Sequence, residues 1–149
     1  MVDVLTQQTF NAFCDLTLAK SDWTHEAHLR VCWVALATRD RRAAVGFLRE
    51  AIKSYNDATG VENTDTSGYH ETLTQYFVGA VSSLDSTDID RVIGSPRCST
   101  NAPLCHWSRN VLFSPAARAV WIGPDKTPLP WRHMPCEPLG TESPPSARH

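Results

Sequence analysis

Apolar positions recur at intervals of three and four along the first 84 residues, the spacing that lines one face of an α-helix. Phe10, Phe13, Cys14, Thr17 and Leu18 share a stripe within residues 4–19. After the capping pair Ser21-Asp22, residues 23–38 repeat the pattern with Leu29, Cys32, Ala35 and Leu36. Asp40 marks a tight turn before a third helix over 41–56, which carries Val45, Leu48, Ile52 and Tyr55 and is closed by Asn56 and Gly60. A polar stretch from Asp57 to Gly68 follows. At about twelve residues it exceeds most helix connections and has the length of a functional lid. A fourth helix over 69–84 turns Leu73, Phe77, Ala80, Val81 and Leu84 inward.

Beyond residue 84 the periodicity weakens. A short helix near 87–93 ends at Gly94-Ser95-Pro96, and Ser114-Pro115 sets a capping hydroxyl before a proline, predicting another over 115–121. Gly123-Pro124-Asp125 through Leu129-Pro130 reads as an extended strap, pinned by Trp107 and Trp121 with Leu112, Phe113 and Val120. No stretch alternates with the period of a strand. The expected fold is all-α: a four-helix up-down bundle with short extra helices and an extended C-terminal wrap. One domain should span 1–136, with a disordered, proline-rich tail over 137–149.

Composition narrows the function classes. A chain of 149 residues builds one core, and a net charge of -2 offers no field for nucleic acid or an anionic membrane. No apolar run approaches the roughly 18 residues of a membrane span. Met1 to Lys20 has neither the basic start nor the apolar stretch of a secretory signal, so a cytoplasmic protein is expected. Cys14, Cys32, Cys98, Cys105 and Cys136 are odd in number and widely spaced, as reduced thiols would be, with Cys14 and Cys32 on apolar helix faces.

The chemistry concentrates in two segments, Trp23-Thr24-His25-Glu26-Ala27-His28-Leu29 and Gly68-Tyr69-His70-Glu71-Thr72-Leu73-Thr74. Both open predicted helices, and helices two and four of an up-down bundle begin at the same end. His25 and His28 share a stripe with Leu29, Cys32 and Leu36; His70 shares one with Leu73, Thr74, Phe77 and Val81. Three inward imidazoles at one end suggest a mononuclear metal site with His25, His28 and His70 as ligands. Nitrogen ligands suit one divalent transition metal, namely zinc, iron or manganese, with copper less favoured. Positive helix starts favour neutral imidazole, the ligating form, and also attract an anionic group.

Around these ligands, Glu71 and, less favoured, Glu26 are candidates for a fourth ligand or general base, and Tyr55 or Tyr69 for a proton donor. Arg30, Arg49 and Arg118 could each fork an anion, with nothing in the sequence to choose among them. Cys98, Cys105, His106, His133 and Cys136 lack the Cys-x-x-Cys knuckle of a zinc ribbon.

These blocks, with Tyr55-Asn56, Ala117-Arg118, Pro124-Asp125 and Leu129-Pro130, resemble a set of small bacterial proteins that share W-T-H-x-x-H-L and G-Y-H-E-T-x-T. The resemblance covers roughly residues 20–130 and implies no activity. In outline the arrangement is also similar to DinB-like metal-binding bundles, which hold three histidines in the bundle interior. This chain differs in having an early His-x-x-His pair and a lone later histidine, so the similarity implies architecture only.

The sequence thus points to a metal-dependent enzyme acting on a small, polar, anionic metabolite, lyase or hydrolase chemistry being favoured over oxygenation. Two alternatives stay open: a metal-free small-molecule binding module, and a structural or interaction protein that uses its aromatic C-terminal wrap. The expected partner is a small-molecule substrate rather than nucleic acid or membrane, and the sequence allows a homodimer.

Overall fold

The computed structural model describes residues 2–133, so the 137–149 tail and Cys136 lie outside the described residues. Within them the chain is all-helical, with α1 (Val4–Cys14), α2 (His25–Thr38), α3 (Arg41–Ala58), α4 (Glu71–Leu84) and three short helices: α5 (Ile89–Ile93), α6 (Arg109–Leu112) and α7 (Pro115–Ala119). Single 3₁₀ turns interrupt the connections at Lys20–Asp22, Pro96–Cys98 and Ala102–Cys105. Among the described residues no helix is long and apolar enough to cross a membrane.

Side chains set most helix starts. Asp3, Thr24, Asp40, Asp88, Ser108 and Ser114 each accept a hydrogen bond from a first-turn backbone N–H, satisfying donors that the helix itself leaves open. The fourth helix starts two residues later than periodicity suggests, because His70 is extended (φ -133°) and caps it. The first helix ends earlier than expected. Leu16 takes φ +62°, and the backbone N–H groups of Thr17 and Leu18 fold back onto the Ala12 carbonyl. Cys14 then lies exposed rather than on an apolar face, because the turn carries the chain away just beyond it.

α4 is the central rod. It packs against α2, α3 and α7, and buries Thr72, Gln75, Tyr76, Val78, Gly79, Ala80 and Val81, more than one apolar stripe. Phe13, Leu29, Val31, Val45, Leu48 and Tyr55 fill the space between it and its neighbours.

The C-terminal third wraps back over α4. Trp107 is fully buried, donates from Nε1 to the Ile122 carbonyl (2.9 Å), and meets Tyr76 and Trp121 edge-on. The buried hydroxyl of Thr72 donates to the Val120 carbonyl (2.9 Å) and accepts from the Ile122 N–H (3.1 Å), so one side chain clasps residues 120–122 to α4. Farther on, Trp131 lies over Gly79, where an added Cβ would come within 2.4 Å of the indole nitrogen.

Candidate functional site

A cavity of about 600 Å³ lies where the first turns of α2 and α4 meet the last turns of α3 and residues 100–113. Its walls are mainly apolar, with Trp23, Leu29, Ile52, Leu73, Phe77 and Leu112 among them. His25, His28 and His70 all line it. What each ring can do there depends on the hydrogen bonds its nitrogens already make.

His70 has no lone pair to give. Its Nδ1 accepts from the Leu73 N–H (3.1 Å), which caps α4, so the ring proton sits on Nε2 and goes to the Leu112 carbonyl (2.8 Å). Burial, and the nearby positive charge of Arg118, hold the ring below its ordinary pKa and outweigh the Leu112 hydrogen bond. His70 is therefore a neutral tether between α4 and α6.

His25 and His28 differ from it. His25 donates from Nε2 to the Cys98 carbonyl (2.7 Å) and His28 from Nδ1 to the Thr24 carbonyl (2.7 Å). A carbonyl only accepts, so each ring carries a proton there, and the other nitrogen, Nδ1 of His25 and Nε2 of His28, has no hydrogen-bond partner among the described residues. His28 stacks on Trp23 at 3.7 Å between centroids, and Trp23 stacks in turn on Phe13 at 4.5 Å. Burial in this stack is the main cause that pushes His28 down to about 4, and neighbouring His25 adds to it. Phe77 meets His25 edge-on at 5.0 Å.

The expected three-histidine metal centre does not fit these residues. With both nitrogens of His70 engaged, the cavity offers two open imidazole nitrogens. Among the described residues no group of three or more His, Cys, Asp or Glu is placed to hold a metal ion.

The acid–base candidates lie elsewhere. Glu71 is 2% exposed and borders a different cavity, with Lys53 and Arg118. There its carboxylate takes two hydrogen bonds from Arg49 (2.8 Å each), one from the Tyr69 hydroxyl (2.9 Å) and one from Gln75 (2.6 Å). Burial alone would raise its pKa, but the hydrogen bonds from Arg49 and Gln75 hold it below the usual carboxylate value. So committed, it is a structural counter-ion rather than a ligand or base. Glu26 is exposed and pairs with Arg30 at 3.2 Å.

Tyr69 borders both cavities, yet its hydroxyl proton is given to Glu71, and burial and that carboxylate raise its pKa far above its ordinary value. Tyr55 lies behind Trp23 and Phe13 and donates to the Leu18 carbonyl (2.9 Å). Arg30 donates to Thr6 (2.6 Å), Arg49 grips Glu71, and Arg118 donates to the Gly68 carbonyl (2.8 Å), so all three expected anion forks serve the fold.

The loop between α3 and α4 is fastened rather than lid-like. The Asn63 side chain accepts from Asn56 (2.9 Å) and from the Tyr69 N–H (3.0 Å), and donates to the Lys53 carbonyl (3.2 Å). Gly68 has φ +78°, and a Cβ there would lie 2.5 Å from the Glu62 carbonyl oxygen, so only glycine closes this turn. The sequence reading missed Arg109 and Phe113 at this cavity. Its one available signal was Ser108 as a helix cap, which is weak because α6 is too short to show a period.

No family model, curated protein or solved structure matches the chain.

Proposed function

We propose that the protein is a metal-free binding module for a small organic molecule with an apolar body and a hydroxyl or amine donor. One observation carries this reading: two imidazoles line a largely apolar cavity, and each gives a proton to a backbone carbonyl and has its other nitrogen without a hydrogen-bond partner among the described residues. An apolar wall with a few fixed polar atoms is the usual make-up of a small-molecule site. The carbonyl partners fix the tautomers, so His25 and His28 select a ligand that donates. The depressed pKa of His28 keeps it an acceptor throughout the neutral range.

The test uses 2-naphthol and 2-methoxynaphthalene, which share a ring system but differ in the donor. Calorimetry should give one 2-naphthol site per chain, with the methyl ether about two- to tenfold weaker, the ratio a single hydrogen bond supplies. His28→Leu should abolish the discrimination, and dialysis against EDTA should leave it unchanged. Equal affinity for both probes, or binding by neither, would overturn the reading. A donor preference that EDTA removes and zinc restores would return the site to metal chemistry.

A further inference from the structure

We infer that the ligand is an organic acid: its anionic group rests on Arg109 at the mouth of the histidine cavity while its donor meets the imidazoles. This rests on the binding reading above and adds the charge of the ligand. Arg109 opens α6, is exposed, and lines the cavity, which places it at the rim. Among the described residues it is the only lysine or arginine on that wall, and no aspartate or glutamate lines the cavity. Its side chain makes no hydrogen bond or ion pair with the described residues; its one partner is the Phe113 ring, 6.0 Å from the guanidinium carbon.

The other cations near the site are spent. Arg118 is turned to the carbonyls of Gly68 and Tyr69, and Arg49 to Glu71. The cavity therefore has one positive fork at its mouth and bare nitrogen acceptors on its wall, with no carboxylate to receive an ammonium. A cationic ligand would meet Arg109 unopposed. A carboxylate or sulfonate would gain a planar, two-point partner.

Three probes separate this inference from the reading beneath it: 2-naphthol, 2-naphthoate and 6-hydroxy-2-naphthoate, titrated into the intact chain at low and high salt. The hydroxy acid should bind about three- to fivefold more tightly than 2-naphthol, as an exposed ion pair provides, and the gain should shrink in 0.5 M NaCl. Arg109→Gln should remove the advantage of the hydroxy acid over 2-naphthol. Arg109→Lys should keep part of the gain. If 2-naphthol binds and the carboxylate adds nothing, or its gain survives Arg109→Gln, the acid assignment is wrong and the binding module stands. If none of the three binds, the module itself is wrong.

Discussion

Arg49 holds Glu71 through two parallel hydrogen bonds, Nε to Oε1 and Nη2 to Oε2, each 2.8 Å, tying α3 to the first residue of α4. A carboxylate one residue from His70 would look catalytic in sequence. Here it faces the other way, because a buried arginine on the neighbouring helix needs a counter-charge. Tyr69 borders both the histidine cavity and the cavity beside this ion pair, and its hydroxyl is on the ion-pair side.

Glu71→Gln should therefore cost stability rather than binding. It leaves the Arg49 cation buried without its counter-charge, a loss of about 3 kcal/mol in urea unfolding. Affinity for 2-naphthol should stay within about twofold. The pH signature has a fixed sign: the carboxyl lies below its ordinary value in the folded chain, so its contribution is present above the unfolded value of 4.5 and is lost as pH falls through the lower folded one. A large loss of probe affinity with stability intact would contradict this assignment.

His70 separates cap from tether. His70→Ala removes both the Leu73 cap and the Leu112 bond, and should destabilise by about 2–3 kcal/mol. His70→Asn can still cap α4, and should recover about 1 kcal/mol of that. Urea midpoints of the two variants check this. Equal losses would mean that the ring does not cap the helix.

For His28 the pH dependence has the same sign as for Glu71 but sets in at a higher pH. Its folded value of about 4 lies below the ordinary 6.5, so the unfolded chain takes up a proton that the folded chain refuses. Stability should be full above pH 6.5, fall between 6.5 and about 4, and not change further on this account below that. The ring is partly exposed, so about 3 kcal/mol is the ceiling of the effect. His133 is also pushed down to about 4, by burial and by Arg41, and adds a slope of the same sign. In unfolding titrations His28→Gln should flatten the slope in part; an unchanged slope would show that His28 titrates freely.

Gly79 reports on the strap. In an open helix Gly→Ala gains about 1 kcal/mol, but here the new methyl would collide with the Trp131 indole. Gly79→Ala should lower stability by about 1 kcal/mol or more and shift tryptophan emission to the red as the strap lifts. Trp131→Ala alone should also destabilise, and adding Gly79→Ala to it should then stabilise. That reversal is the double-mutant coupling expected of residues in contact. Additive effects would place Trp131 away from α4.

The helical rods, the Ser114 cap and the apolar faces of α2 and α3 could be read from the chain, because 3.6-residue periodicity and capping chemistry act within a few residues. So could the placing of three imidazoles near helix starts. The α2 cap is Thr24 rather than the expected Ser21-Asp22, which lie in a 3₁₀ turn before it. His28 is also locally determined, since its proton partner, Thr24, is one turn away. What the other two rings do was decided only by the fold. His25 meets Cys98, 73 positions along the chain, and His70 meets Leu112, 42 positions along. An imidazole becomes a ligand, a base, a cap or a tether according to which atoms occupy its two nitrogens. For these rings the occupying carbonyls come from the irregular C-terminal wrap, whose path no periodicity encodes. Arg109 reaches the cavity mouth by the same route, on a helix too short to announce itself.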